Sequence, residues 1–168
     1  MPNLPKFPRR ILTALLSACV AAAFVNFFCG IGRIEARQEK EDPWSTAEVL
    51  RPADLASQLS QKTAKPSTIV YVGFRTLFEG GHVPGAKFYG PASSEKGLAD
   101  LRTALSNLPR SSDLLIYCGC CPFEKCPNIR PAYKALREMG FTQVRVLVLP
   151  TSFAKDWVEK GYPIEKGL

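Results

Sequence analysis

Histidine is nearly missing from this sequence: one residue in 168, His82. That scarcity excludes a histidine-rich metal site and any mechanism needing two imidazoles. There is no run of lysine and arginine with interleaved aromatics, so nucleic acid is not an expected partner. A glycine-rich phosphate loop and carboxylates paired by a motif are also missing, as are internal repeats and low-complexity tracts.

Charge is present but spread out. The net charge is +7. Residues 1–42 carry six Lys/Arg against four Asp/Glu, and the other 126 residues carry sixteen against eleven. Such a mildly basic domain suits a small anionic ligand better than a polyanion. Hydrophobic residues make up 46% of the chain, enough for a packed core, and 168 residues suit one domain.

The amino terminus reads as an export signal. Lys6, Arg9 and Arg10 precede an almost unbroken apolar run from Ile11 to Ile31. Basic residues first, then about 20 apolar ones, describe a signal anchor or a cleaved signal peptide over residues 1–31. Leu16-Ser17-Ala18-Cys19 also resembles a lipoprotein box, with Cys19 as the lipidated residue. All three readings place the rest of the chain outside the cytoplasm, periplasmic or secreted, with a membrane contact through this segment if it is kept. Residues 32–43 mix charges without an apolar period and read as a linker, so the domain is expected over 44–168.

Within that domain, strands and helices alternate. Pro52 to Leu59 predicts a short helix, with Pro52 at a first helical position. Thr68 to Val72 is a continuous β-branched and aromatic run, as for a strand buried on both faces. Residues 73–91 are rich in glycine and proline and read as loop, with a brief strand at Ala86 to Tyr89. Ser93 or Ser94 caps a helix in which Leu98, Leu101, Leu105 and Leu108 recur at helical spacing. Leu114 to Tyr117 is a second strong strand. A helix from Arg130 or Pro131 to Met139, a strand from Val144 to Leu149 and a short helix through Phe153 and Trp157 complete the pattern. The fold class is α/β, a single domain with a mainly parallel central sheet flanked by helices.

Cysteine carries the chemistry. Four of the six cysteines, Cys118, Cys120, Cys121 and Cys126, crowd into nine residues. Cys118 is the first residue past the strand Leu114 to Tyr117, and ligands of parallel sheets bind beyond the carboxyl ends of strands. A thiol near the start of the following helix feels its partial positive charge and unpaired N–H groups, which favour the thiolate. A loop of inward N–H groups also cradles anions. Cys118 is therefore the expected nucleophile, and Gly119, Cys120, Cys121, Cys126, Asn128 and Arg130 form the expected active-site loop. The loop cysteines admit three readings: a resolving thiol for Cys118, a structural staple joining Cys120 or Cys121 to Cys126, or a metal site. No metal or other cofactor is assigned.

Four segments resemble the rhodanese-like domain family, over about residues 45 to 166. They are Gly81-His82-Val83-Pro84-Gly85-Ala86, Leu115-Ile116-Tyr117-Cys118, Ala135 to Phe141 followed by Val144, and Trp157 to Ile164. The resemblance implies a rhodanese-like fold and a sulfurtransferase cycle. A small anionic donor would leave one sulfur on Cys118 as a persulfide, and an acceptor thiol or a redox partner protein would remove it. It also implies a structural or substrate-side place for Arg75 and a structural one for His82. Arg130, near the helix start, has two readings: a residue that meets an anionic donor, or a solvated surface arginine.

The departures are specific. Gly73-Phe74-Arg75 stands where the family commonly has a D-x-R segment, so Arg75 is kept without the aspartate. The active-site loop is enlarged and rich in cysteine, and Pro150-Thr151 replaces a Gly-Gly. The alternative function is a non-catalytic or redox-sensing rhodanese-like module whose cysteine loop is locked by a disulfide or a metal. A cysteine-loop phosphatase is disfavoured, because the first arginine after Cys118 is Arg130 and the C-x5-R spacing is missing.

Overall fold

Continuous apolar runs make the centre of a parallel sheet. The computed structural model describes residues 42–61 and 67–168. The expected signal or anchor segment 1–31, and the linker through residue 41, lie outside the described residues. Among the described residues no helix is long and apolar enough to cross a membrane.

The five strands are β1 (Val49–Leu50), β2 (Thr68–Tyr71), β3 (Lys87–Phe88), β4 (Asp113–Tyr117) and β5 (Gln143–Leu147). They stand in the order β1-β5-β4-β2-β3, and each neighbouring pair is parallel. Ile69 faces Leu115 and Val70 faces Ile116 across the central pair. The helices are α1 (Pro52–Ser60), α2 (Arg75–Gly80), α3 (Glu95–Leu105), α4 (Ile129–Glu138) and α5 (Phe153–Asp156). Leu114, Leu115, Ile116 and Tyr117 are all fully buried, as a strand covered on both faces requires.

Alternation along β4 decides where Cys118 goes. Leu114 and Ile116 belong to the core that includes Leu101, Leu105, Ile129 and Leu136, on the α3–α4 side. Leu115 and Tyr117 belong to the other core, with Leu55, Phe78 and Trp157. Side chains on a strand alternate faces. Cys118, two residues beyond Ile116, therefore falls on the α3–α4 side, and it is part of that core. Each fully buried Leu or Ile contributes about 1.5–3 kcal/mol, so strand and helix are held firmly on either side of the thiol.

Two elements differ from expectation. Arg75–Gly80 is a helix within the region read as loop. Its flanking glycines mask the signal, and only Phe78 of the six residues is buried. Val49–Leu50 adds an edge strand to β5, too short to show any period. Elsewhere the differences are up to three residues at the ends: α3 stops at Leu105, short of Leu108, and α5 stops at Asp156, just before Trp157. Ser94 is the serine that caps α3, its Oγ accepting the Gly97 N–H at 3.1 Å.

Candidate active site

The site begins where β4 ends. Gly119 follows Cys118 with φ +76°, a left-handed conformation that glycine adopts without strain. A Cβ there would also lie 2.8 Å from Phe153 Cβ and 2.9 Å from Leu149 Cδ1. Its carbonyl accepts the Phe153 N–H at 2.9 Å, fixing the first turn of the loop to α5. Gly73 makes the second close approach: a Cβ on it would meet Cys118 Sγ at 2.8 Å and the Tyr71 hydroxyl at 2.6 Å. The space that a side chain at position 73 would need is thus taken by the cysteine sulfur and a tyrosine.

The loop returns to bring its sulfurs together. Cys118 Sγ lies 3.1 Å from Cys120 Sγ, and Cys120 Sγ lies 3.5 Å from Cys121 Sγ. The sulfurs of Cys118, Cys120 and Cys126 are all within 4.8 Å of one another. Cys118 and Cys126 are buried, whereas Cys120 and Cys121 are half-buried. All four are free thiols. The expected staple from Cys120 or Cys121 to Cys126 is therefore not formed. Cys126 instead turns its sulfur toward Cys118 and the start of α4.

Asn128 holds this arrangement. It is fully buried, and its Oδ1 accepts the Ser93 N–H at 2.9 Å. That bond fixes the amide, so Nδ2 faces the sulfurs, 3.4 Å from Cys118 Sγ and 3.9 Å from Cys120 Sγ. Asn128 is the residue before α4, where an asparagine ordinarily caps the helix, but its side chain makes no cap bond here. The backbone N–H groups of Asn128 and Ile129 point at Cys126 Sγ instead, and the Cys120 N–H points at Cys118 Sγ.

These donors divide the charge unevenly. The hydrogen bond from Cys118, with the Asn128 and Ile129 N–H groups, lowers the Cys126 thiol to about 6 against the cost of its burial. The same shared proton, and then burial, raise Cys118 well above the ordinary thiol range. The helix-start argument thus applies to Cys126 rather than to Cys118. The inserted residues moved α4 along the chain, and Cys126 is now the thiol three residues before Ile129. That spacing was visible in the sequence. Tyr71 is a further neighbour that sequence reasoning missed; burial and then the adjacent sulfur charges raise its phenol.

The remaining expected residues lie outside the sulfur cluster. Arg130 is turned away from it, toward the chain's outer layer. Its Nη1 donates to the Glu124 carbonyl at 3.1 Å, its Nη2 lies 2.5 Å from Asp42 Oδ1, and its guanidinium lies over Trp44 at 5.6 Å. It clamps the cysteine loop instead of facing the sulfurs. Arg75 is exposed, 3.8 Å from Glu79 and stacked over Phe88 at 4.5 Å. His82 is buried, stacked on Phe78 at 3.8 Å, with Nδ1 donating to the Phe78 carbonyl at 2.8 Å. Its backbone pairs with Glu165 through two 2.9 Å bonds. Beside the cluster, a cleft of about 350 Å³ runs between α2 and α5, with Cys120, Gly119, Tyr71, Leu77 and Phe153 on its walls.

Solved structures share this architecture. A crystal structure of a protein from Anabaena sp. matches at 25% identity and a TM-score of 0.53, over 70% of this chain and 82% of that one. The solution structure of the rhodanese-like domain of the same Anabaena protein matches at 25% identity and a TM-score of 0.51, over 71% and 79%. A thiosulfate sulfurtransferase from Pseudomonas aeruginosa shares the fold at 20% identity and a TM-score of 0.52, over 71% of this chain and 19% of that one. No family model and no curated protein matches the sequence. The described domain has the rhodanese-like fold, with an enlarged, cysteine-rich loop after β4.

Proposed function

We propose that this domain of rhodanese-like fold is a sulfurtransferase that carries sulfane sulfur as a persulfide on Cys118. The observation that carries the reading is the contact of sulfurs at the carboxyl end of β4, with N–H donors directed at them. In the first step the Cys118 proton passes to the Cys126 thiolate as Cys118 Sγ forms a bond to the outer sulfur of an anionic donor. The donor's sulfur–sulfur bond breaks, and its electron pair leaves on the donor's remaining anion. In the second step an acceptor thiolate attacks the outer sulfur, takes it, and returns Cys118 as a thiolate. One transfer is split into two easier ones, with no net change of oxidation state. The Asn128 amide and the Cys120 N–H hold the negative charge that each step places on Cys118. The cleft at Cys120 is the way in for donor and acceptor. The basic residues followed by the apolar run Ile11 to Ile31 support a location outside the cytoplasm for this activity.

One observation favours a second reading. The 3.1 Å between Cys118 and Cys120 sulfurs is short enough for an external two-electron oxidant to close a disulfide, as a redox sensor requires.

The test is intact mass of the reduced full-length chain before and after thiosulfate. The expected result is one added sulfur, removed by cyanide and lost in Cys118→Ser. Sulfur loading by Cys118→Ser at the original rate would move the carrier to another cysteine. No added sulfur from thiosulfate, with a mass deficit of two hydrogen atoms once the reduced chain is given a mild two-electron oxidant such as hydrogen peroxide, would favour the redox reading.

A further inference from the structure

A persulfide carrier and its proton acceptor require two sulfurs, yet three converge. Cys118, Cys120 and Cys126 place their sulfurs within 4.8 Å of one another, around a point between β4 and the start of α4. Two of the three are buried, at 2% and 3% exposure, so that point is open to water only on the Cys120 side. The donors around it suit thiolates. Cys118 receives the Cys120 N–H and the Asn128 amide, and Cys126 receives the N–H groups of Asn128 and Ile129. Three thiolates cannot stay together in a largely buried site without a countercharge. Lys125, beside Cys126 in sequence, is exposed, and Arg130, the buried cation of this loop, is committed to Asp42 and Glu124.

We propose that Cys118, Cys120 and Cys126 form a three-sulfur site for a soft monovalent cation, copper(I). The size fits. Metal–sulfur bonds of ~2.3 Å place the sulfurs of a trigonal or tetrahedral site about 4 Å apart. The cluster brackets that spacing, from 3.1 Å between Cys118 and Cys120 up to the 4.8 Å bound. The donor set selects the ion. All three ligands are thiolates, which favour soft cations. Among the described residues no histidine or carboxylate joins the triad. The single histidine is held by Phe78. Zinc ordinarily takes four ligands, with water as the fourth in open sites, and burial of Cys118 and Cys126 disfavours that water. Asn128 supplies the outer layer: its amide is locked by Ser93 and donates toward two of the ligands. On binding, the thiols release their protons to solvent and no electron moves. The ion and the sulfur donor then compete for the same sulfurs.

The test uses the full-length chain in mild detergent, kept reduced and free of oxygen. Copper(I) is supplied from its complex with bathocuproine disulfonate, and the colour lost by that complex counts the copper transferred. The expected result is one copper(I) per chain, with X-ray absorption showing three sulfur neighbours. Cys118→Ser, Cys120→Ser and Cys126→Ser should each weaken binding by more than ~100-fold, beyond the range seen for outer-layer changes. Asn128→Leu should weaken it by about 10-fold, and Cys121→Ser should leave it unchanged. Cys120 is half-buried, so Cys120→Ser tests the site even if the buried variants do not fold. Retention of copper by Cys120→Ser would overturn the proposal. So would an equal loss in Cys121→Ser, or tighter binding of zinc(II) than of copper(I). Sulfur loading is measured separately on the metal-free chain. A chain that loads sulfur but not copper refutes this inference alone, and one that takes copper but no sulfur refutes only the sulfurtransferase reading.

Discussion

The two ends of strand β4 handle charge in opposite ways. At its amino end, Asp113 meets Arg145 at 2.7 and 3.2 Å, and Ser67 Oγ lies 2.6 Å from the carboxylate and 2.7 Å from the guanidinium. Charge there is matched by opposite charge, and the contacts join β4 to β5 and to the chain entering β2. Beyond its carboxyl end, four thiols gather with N–H donors aimed at the cluster, and among the described residues no cationic side chain bonds to these sulfurs. Arg130 could have supplied one, but it faces Asp42. A matched pair fixes register and has no capacity left for a ligand. An end that offers donors without a countercharge is the one equipped to take an anion or a cation.

Removing the sulfur that holds the charge should have the largest effect. Cys126→Ser should slow sulfur loading on Cys118 by ~100-fold or more, the usual scale for losing a general base. The same variant should lose the thiolate that forms near pH 6 in the metal-free chain, read from ultraviolet thiolate absorbance. The sign follows from the lowered value, about 6 in the folded chain, against about 8.5 for a free thiol. The folded chain gives up this proton first, so Cys126 adds stability as pH rises from 6 toward 8.5, and loses it as pH falls through 6. Loading should rise with pH over the same acid limb. A flat profile between pH 5 and 8 would remove Cys126 from the mechanism.

Loosening the loop should have the next largest effect. Arg130→Met keeps bulk but leaves Asp42 and the Glu124 carbonyl without their donor. Breaking a buried pair costs roughly 3–5 kcal/mol, and less here because Asp42 is about a third exposed. A loss near 2 kcal/mol in denaturant unfolding is expected, with faster proteolysis between Pro122 and Lys125. Unchanged stability and cleavage would show that the loop is held by its sulfurs and not by this clamp.

Gly119→Ala should follow, at about 1–2 kcal/mol, from left-handed strain and the contacts with Phe153 and Leu149. It should also displace Cys120, so loading should fall together with stability. A variant that loads normally would show that the loop re-forms without this turn.

Much of this was legible in the sequence, for identifiable reasons. TIVY and LLIY are short runs rich in β-branched and aromatic residues without polar alternation, the pattern of a strand covered on both faces. The position of Cys118 after β4 followed from that alone. Two short elements were not legible: β1 has two residues, and α2 is bounded by glycines and buries only Phe78. The site was legible as a cluster but not as an arrangement. The spacing of Cys126 before α4 was there to read, but which sulfurs come into contact depends on how an enlarged loop folds back, and the resemblance did not carry that. Arg130 shows the same limit. A basic residue near a helix start reads as an anion ligand, yet its direction was set by Asp42 and Trp44, which the sequence had placed at a linker's edge.

The smallest effect should come from the matched end of β4, and there the contrast is sharpest. Asp113→Asn removes one charge from a pair whose side chains are each about a quarter exposed. Pairs this open contribute up to ~1 kcal/mol, less in high salt. Ser67 can still hydrogen-bond to the asparagine, so part of the contact survives. The expected result is a stability loss below ~1 kcal/mol that shrinks further as salt is added. Sulfur loading should be unchanged, because the strand between Asp113 and Cys118 is fully buried and fixed by its neighbours on both sides. If loading fell severalfold, the position of β4 would depend on the Arg145 contact. The two ends would then form one coupled unit, with the ion pair setting where the sulfur sits.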